Sequence, residues 1–257
     1  MYKRQILDDY PVSGVEISLD WNGVTNKLPE GVRVIFYPKN AEGRKIDTYL
    51  SVKGGKVKVP PGRYSVVVYN YDTETVQIRG EEAYETIEAF TGHCNGLGIA
   101  GTEQLVWGPD PLYVVRIDDL KIENSEEELQ LNWKPKLVVK TYSFKLKVQG
   151  LEYVSSIVGS IEGMSSCYDL GLGCGKAGDS PIYFAARGSA GEVTGSFTVF
   201  GTSEGVISRA GNAIKLTLAF VKTDNKVQKM EVDITEVIAN SESGGSGGGD
   251  DGDEPFK

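Results

Sequence analysis

The stretch GGKVKVPPGRYSVVVYNYDTE, from Gly54 to Glu74, constrains the fold of this chain more than any other part of its sequence. Val57 and Val59 alternate with lysines, which is the period-two pattern of a strand with one buried face. After two prolines, residues 64–69 are mostly apolar at both odd and even positions. A strand with two apolar faces lies inside a sheet rather than at its edge. The stretch therefore predicts two strands, the second of them buried.

The residues between these two strands predict a tight reversal of the chain. Pro60 ends the first strand because it has no N–H group to donate. Pro61 presets φ at about −65°, and Gly62 accepts positive φ, as the two central positions of a type II turn require. We therefore expect a type II turn with Gly62 at positive φ.

Length and composition favour an all-β fold. The 257 residues suffice for two domains of ordinary size, and the 32 glycines fall mostly between short apolar runs. Helical patterns are weak throughout the sequence. Two successive series of short alternating runs predict two tandem β-sandwich domains, transthyretin-like or Greek-key in topology.

Changes in composition along the chain set the expected domain boundaries. Residues 13–120 form the predicted N-terminal β-sandwich, and residues 137–240 form the predicted C-terminal β-sandwich. Between them, residues 121–136 are charged and contain a proline, which is typical of a linker. Residues 1–12 are expected to be a leader, and the Gly-rich, acidic residues 241–257 a flexible tail.

Several segments have less regular patterns. Residues 81–90 fit either one or two helical turns or a strand that begins near residue 86, and the pattern does not decide between them. Gly163 to Gly178 is rich in glycine and serine, which predicts a loop. Asp224 and Asn225 are suited to turn a hairpin between the last two predicted strands.

Both ends of the sequence are expected to be incomplete. The first five residues, MYKRQ, resemble the translation of a transposase adapter used in sequencing libraries, so Met1 to Gln5 are excluded from the fold prediction. The true N-terminus is then missing, and the lack of a hydrophobic signal sequence has no weight. The chain also ends abruptly after its acidic tail, so we expect a missing C-terminal segment as well.

Charge and hydropathy argue against two classes of partner. The net charge is −9, and the sequence has no concentrated run of lysine and arginine, so we expect no nucleic-acid partner. No stretch approaches the roughly 20 apolar residues that a membrane-spanning helix needs.

Cysteine and metal chemistry is sparse. The three cysteines, Cys94, Cys167 and Cys174, are too few for a disulfide framework, although a bridge between Cys167 and Cys174 stays open. A single histidine and the wide cysteine spacing argue against zinc. The acidic DDGD motif of the tail lacks the ligand spacing of a calcium loop. We therefore expect no metal, no cofactor and no metal-binding or cofactor-binding residue.

Motifs with catalytic associations have simpler explanations here. GLGIAG, from Gly96 to Gly101, matches the dinucleotide fingerprint in letters, but no strand–helix context surrounds it, so we expect a glycine-rich loop. His93 and Cys94 are adjacent, and adjacent side chains of an extended chain point to opposite faces. We expect no catalytic residue and no enzyme. Two buried carboxylates that face each other in a cleft would change this expectation.

Aromatic residues offer an alternative function, because aromatic faces stack on the apolar faces of pyranose sugars. The aromatic residues in question are Trp21, Tyr37, Tyr69, Tyr71, Trp107 and Trp133. Trp21 is in phase with the apolar positions of the first strand, which favours core packing. Tyr69 and Tyr71 lie at a strand end, where exposure is expected.

The order of several motifs resembles the fimbrillin-like proteins of the Bacteroidales, and more specifically a branch of unknown function. In the first half the motifs are VEISLDW, PEGVRVIFYP, GGKVKVPPGRYSVVVYNYDTE and PDPLYVV. In the second half they are YSFKLKVQGLEYVSSIVGSIEGM, FTVFG and MEVDITEVI. The PPGRY element alone also occurs in other transthyretin-like sandwiches, so the combination across roughly residues 13–240 carries the resemblance.

The resemblance implies a non-enzymatic surface lipoprotein: a fimbrial subunit, an anchor or tip component, or an adhesin. Its implied location is the outer membrane, through a lipid on an N-terminal cysteine that this sequence does not contain. The implied partners are other fimbrial subunits or surface proteins, joined by β-strand addition. A carbohydrate- or host-ligand-binding module is the alternative.

Overall fold

The computed structural model confirms an all-β fold. It describes residues 13–40, 43–94, 104–177, 180–201 and 213–243. The predicted leader, the glycine-rich loop from Gly96 to Gly101 and the DDGD motif lie outside the described residues, as does the tail from residue 244 onward.

In the part of the chain that the structure describes, eleven strands precede residue 138. They are β1 Ser13–Leu19, β2 Gly31–Pro38, β3 Ile46–Ser51, β4 Gly54–Val59, β5 Gly62–Asn70, β6 Val76–Arg79, β7 Glu88–Thr91, β8 Val106–Trp107, β9 Tyr113–Ile122, β10 Leu129–Trp133 and β11 Lys136–Leu137. Eight strands, one 3-10 helix and one α-helix follow. They are β12 Val139–Lys147, the 3-10 helix Leu151–Tyr153, β13 Val154–Glu162, β14 Ser165–Asp169, β15 Cys174–Ala177, β16 Ile182–Ser189, β17 Glu192–Phe200, β18 Lys215–Lys222, β19 Val227–Asp233 and α1 Thr235–Ser243.

The chain forms two compact units whose boundaries differ from the predicted ones. The first unit contains β1 to β5, the segment Glu82–Glu85 and the segment Tyr113–Lys136. The second unit contains the rest, including Thr86–Leu112, which the sequence assigned to the N-terminal sandwich. The chain therefore leaves the first unit after β5, re-enters it briefly at Glu82–Glu85 and returns to it at β9.

The predicted linker, residues 121–136, is part of the first unit. It contains the end of β9 and all of β10, and β10 pairs in parallel with β1 from Val15↔Leu129 to Leu19↔Trp133. The linker prediction was wrong because the charged residues precede β10, whereas the apolar residues of LQLNW alternate and enter the core.

The first unit has an eight-stranded sheet in the order β10-β1-β4-β3-β2-β5-β9-β11. A single residue pair, Ser51↔Gly54, joins β3 to β4. Alternate side chains of β1, β4 and β10 share one core with those of β2, β5 and β9. The sheet thus folds into two layers around that core, and β5 lies between β2 and β9 as its two apolar faces predict.

The predicted type II turn is absent at Gly62. This glycine is the first residue of β5 and is not among the positive-φ glycines of the described residues. In addition, β4 pairs with β1 and β3, whereas β5 pairs with β2 and β9, so Pro60 and Pro61 carry the chain between layers. Two prolines fit this connection because neither has a main-chain N–H group that needs a hydrogen-bond acceptor on a neighbouring strand.

The second unit has a seven-stranded sheet in the order β12-β17-β16-β13-β18-β19, with β8 paired to β16. Alternate side chains of these strands form one apolar cluster, which also includes Ile238 of α1. Aromatic rings form its centre: Tyr142 stacks on Phe197 at 5.4 Å, and Phe184 contacts Phe144 at 5.5 Å between ring centroids.

A four-stranded sheet in the order β15-β14-β7-β6 completes the second unit. Its hairpin of β14 and β15 lies within Gly163 to Gly178, so the loop predicted there was wrong. The strand pattern was obscured because the buried residues of β14 include the polar Ser165 and Ser166, and because β15 has only four residues, one of them Gly175. Residues 81–90 resolve as turns followed by β7, without a helix.

The end of the second unit confirms one prediction and adds one element. Asn225 has φ of 63° in the hairpin between β18 and β19, as the Asp-Asn pair predicts. Helix α1 was not predicted, and it extends into the expected tail as far as Ser243. Asp233 accepts hydrogen bonds from the main-chain N–H and hydroxyl of Thr235 at the start of α1, and Ile238 is fully buried.

Candidate functional site

The two adjacent residues with catalytic associations, His93 and Cys94, lie beside β8. His93 forms an isolated bridge with Val106, and Cys94 is 8% exposed. Burial raises the pKa of the Cys94 thiol, whereas a nucleophilic cysteine needs a lowered one.

The cysteines of the β14–β15 hairpin do not face each other. Cys167 lies opposite Lys176, and Cys174 lies opposite Asp169, so the two thiols are diagonal neighbours and both are free. A disulfide needs closer Cα atoms than a diagonal pair provides, and the bridge that the sequence left open is not formed.

Two carboxylates do face each other, on adjacent strands of the four-stranded sheet. Glu88 of β7 pairs with Asp169 of β14, and their side chains are 12% and 2% exposed. Lys176 contacts both, at 3.1 and 2.8 Å, and Arg79 binds Glu88 from the other side. Two cations thus neutralise two anions across four strands. The four side chains form an ion-pair ladder across the sheet.

Metal and membrane sites are not evident in the part of the chain that the structure describes. Among those residues, no group of three or more histidine, cysteine, aspartate or glutamate side chains could hold a metal ion. None of the described helices has the length and apolar character needed to cross a membrane.

Most aromatic residues that could line a ligand site are buried or half-buried. Tyr37 is 6% exposed and Trp133 is 8% exposed. Tyr69 is 2% exposed, so its expected exposure was wrong: it lies opposite Arg33 in the interior of the sheet. Trp21 is half-buried, and its indole N–H donates to the carbonyl oxygen of Val52 at 2.6 Å.

Three aromatic side chains remain exposed in the first unit and at β8. Tyr71 is 45% exposed, as expected, and Trp107 is 38% exposed. Tyr49 is 60% exposed and was not predicted, although its period-two position opposite the apolar residues of β3 could have indicated it.

The edge strand β19 presents a partly covered apolar face. All seven of its residues pair with β18, from Val227↔Val221 to Asp233↔Lys215, and β19 is the last strand in the order of its sheet. Across the strands, Leu218 is fully buried but its partner Met230 is only half-buried. Leu216 and Val232 differ in the same way. The apolar side chains on the core-facing side are therefore less buried on β19 than on β18.

The strand β10 forms a second, shorter edge of this type. It is the first strand in the order of the eight-stranded sheet. Its residues Leu129 and Leu131 are half-buried, whereas their partners on β1, Val15 and Ile17, are each 1% exposed. Both edges combine main-chain groups at a sheet border with apolar side chains that another strand could cover.

Together these features define an all-β protein of two units whose sheets, among the described residues, end at edge strands such as β10 and β19. A family model described as "Domain of unknown function (DUF5119)" matches residues 2–185. The chain therefore belongs to this family, and the resemblance to a fimbrillin-like branch of unknown function is confirmed by the relatives that follow.

The relatives are fimbrial and adhesin proteins of the Bacteroidales. The Bacteroides ovatus protein named "Putative fimbrium anchoring subunit Fim4B" is 59% identical over 257 residues, which cover 95% of this chain and 77% of the relative. The crystal structure of a "putative adhesin" from the same species has a TM-score of 0.83 at 58% identity, with 93% and 89% of the two chains covered.

A more distant solved structure shares the fold alone. The fimbrial anchor protein Mfa2 from Porphyromonas gingivalis has a TM-score of 0.55 at 10% identity, with 89% of this chain and 83% of Mfa2 covered.

Proposed function

We propose that this chain is a non-enzymatic component of a cell-surface fimbrium, in an anchoring role, and that it joins other fimbrial subunits by β-strand addition. The observation that carries the proposal is the edge strand β19. Its pairing with β18 is uninterrupted, and its core-facing apolar side chains are only half-buried. The relative named as a fimbrium anchoring subunit supports the anchoring role. The resemblance also leads us to infer an outer-membrane location through an N-terminal lipid.

Strand addition fits the chemistry of β19. An edge strand has N–H and C=O groups that can pair with an extended segment, and those main-chain bonds supply affinity. Met230 packs against the core but is only half-buried, and the half-buried Val232 lies on the same face of β19, so apolar residues at alternate positions of an incoming strand would bury them. Register would follow from this alternation, because a shift by one residue turns the apolar residues to the solvent.

The edge of β19 suits this role better than the edge of β10. Seven paired residues offer a longer border than the five of β10, and no proline or bulge interrupts the pairing of β19 with β18. Native edges that resist addition carry such interruptions or inward-pointing charges. The charged residues of β19, Lys229, Glu231 and Asp233, lie on the opposite face from Met230 and Val232.

The non-enzymatic part of the proposal rests on the neutralised carboxylate pair and on the class of the relatives. Glu88 and Asp169 are each bound by a cation on neighbouring strands, an arrangement typical of a structural ion pair rather than of a catalytic acid and base.

The test compares two variants on opposite faces of one strand. Met230→Glu places a charge where the incoming strand would pack, whereas Lys229→Glu changes charge on the other face. Processed full-length protein is mixed with fimbriae purified from the source bacterium, and the bound fraction is measured. We expect Met230→Glu to bind at least about tenfold more weakly, because a buried unpaired charge costs several kcal/mol, and Lys229→Glu to bind as wild type. Thermal unfolding of both variants checks that the fold is intact. Equal binding by folded Met230→Glu would refute addition at β19.

A further inference from the structure

Two exposed tyrosines form a right-angled corner on the first unit. The rings of Tyr49 and Tyr71 meet edge to face, with centroids 5.3 Å apart and an interplanar angle of 81°. The two side chains are 60% and 45% exposed. Neither hydroxyl has a hydrogen-bond partner among the residues that the structure describes. The corner therefore offers an aromatic surface, a second aromatic wall and two available hydroxyl groups.

A fixed guanidinium group lies over one face of the Tyr49 ring. Arg33 lies opposite Tyr49 on the neighbouring strand, with its guanidinium carbon 5.6 Å from the ring centroid. Asp47 accepts two hydrogen bonds from Arg33, at 2.9 and 2.7 Å, and the Tyr69 hydroxyl accepts a third at 2.8 Å. A guanidinium group bound in this way cannot rotate, so it fixes the ring that packs on it.

The second ring is fixed by the loop after β5. Asn70 donates to Asp72 at 3.0 Å, and Asp72 accepts the main-chain N–H of Glu30 at 2.9 Å. The Tyr71 ring lies over Gly31, where a Cβ would come within 2.8 Å of the tyrosine hydroxyl. The absence of a side chain at residue 31 thus makes room for Tyr71 in this position.

We propose that the Tyr49–Tyr71 corner binds a neutral hexopyranose unit of a carbohydrate. The ring of Tyr49 would stack on the apolar face of the sugar, with Tyr71 as the wall. Rigid aromatic rings provide contact area at low cost in conformational entropy, and their hydroxyls can bond to sugar hydroxyls. This site is separate from the β19 edge, so it stands or fails independently of the anchoring role.

The local charge favours a neutral sugar over an acidic one. Asp47 neutralises Arg33 and takes up its donors, so the guanidinium group offers no open fork to a carboxylate or sulfate. The hydrogen bond from Arg33 keeps the pKa of Asp47 below its usual value, so this pair is fully charged near neutral pH.

Saturation-transfer NMR tests the proposal at the level of ring protons. The full chain is mixed at millimolar sugar concentration with methyl β-D-galactopyranoside, methyl β-D-glucopyranoside or sialic acid, and transfer to each sugar proton is measured. We expect transfer to one or both neutral pyranosides, strongest at the protons of the apolar face, and little transfer to sialic acid. Tyr49→Ala and Tyr71→Ala should each remove most of the signal.

Two further variants separate stacking from loss of fold. Tyr49→Phe retains the ring and should keep most of the transfer. Tyr153→Ala removes a tyrosine of the second unit that is 63% exposed, and it should leave the signal unchanged. Absence of transfer from wild type, or equal transfer in folded Tyr49→Ala, would overturn the proposal. A different outcome would assign the corner to a peptide: wild type gives no transfer to any sugar but does give transfer to a proline-rich peptide, and Tyr49→Ala loses the transfer to the peptide.

Discussion

The hydroxyl of Tyr64 donates a hydrogen bond of 2.9 Å to the main-chain carbonyl oxygen of Pro60. The ring that carries this hydroxyl is 4% exposed and lies beside Gly62, where a Cβ would be 3.3 Å from a ring carbon. Glycine at position 62 therefore favours close approach of the ring and is not required by a positive φ.

Replacement of Gly62 by valine should destabilise the first unit by about 1–3 kcal/mol, because the buried Tyr64 ring cannot move aside without strain. Tyr64→Phe keeps the ring and loses only the hydrogen bond to Pro60, so it should cost about 1 kcal/mol. Urea unfolding of both variants measures these changes. A Gly62→Val protein as stable as wild type would show that the ring is not confined.

The ion-pair ladder predicts that one carboxylate matters for stability. Asp169 is 1% exposed, contacts Lys176 at 2.8 Å and accepts the main-chain N–H of Leu172 at 2.8 Å. Asp169→Ala should cost about 2 kcal/mol, since both charge-assisted contacts are lost. Asp224→Ala is the matched control: this aspartate pairs with Lys226 on an exposed turn, and its loss should change stability little. Equal effects in urea unfolding would contradict the account.

Stability at alkaline pH should depend on Tyr84. Burial and a hydrogen bond to Asp118 raise the pKa of Tyr84 from 10.0 to about 12. Between these two values the unfolded chain loses the proton while the folded chain keeps it. The stabilising contribution is therefore complete below pH 10 and is lost as the pH rises toward 12. Tyr84→Phe should lose less stability than wild type over this range. Parallel pH profiles of urea unfolding would exclude the raised pKa.

The discontinuous units predict that neither half of the sequence folds alone. A fragment of residues 13–120 lacks β10 and contains β7, whose partner β14 is in the other half. A fragment of residues 137–240 lacks β6, β7 and β8. Neither fragment should show cooperative thermal unfolding, because each leaves an apolar face uncovered. A cooperative transition in residues 137–240 at the wild-type unfolding temperature would show that β6, β7 and β8 are not required for the second unit to fold.

The sequence predicted strands well wherever one face is wet and the other is buried. Alternation located β1 and β4, the Asp224-Asn225 pair located the hairpin of β18 and β19, and the double apolar pattern placed β5 inside its sheet. The division into two units was harder to predict from the sequence, because no local pattern shows that β7 pairs with β14 or that β10 pairs with β1. Such pairings depend on contacts between residues far apart in sequence.

The candidate sites were only partly predictable. Exposure of Tyr71 at the end of β5 was expected, but its contact with Tyr49 depends on the pairing of β2 with β3. The half-buried state of Met230 was hidden, because a strand at the edge and a strand in the interior can have the same alternating pattern. How deeply such a side chain is buried depends on whether its strand lies at the edge or in the interior of the sheet.

Hydrogen exchange of β19 tests the central claim most directly. Processed full-length protein is measured alone and while bound to purified fimbriae, and exchange is followed at the main-chain amides of Val227–Asp233. Strand addition predicts slower exchange at those amides that point away from β18, because the incoming strand accepts their hydrogen bonds. Unchanged exchange throughout β19 in the bound protein would contradict assembly by strand addition at this edge.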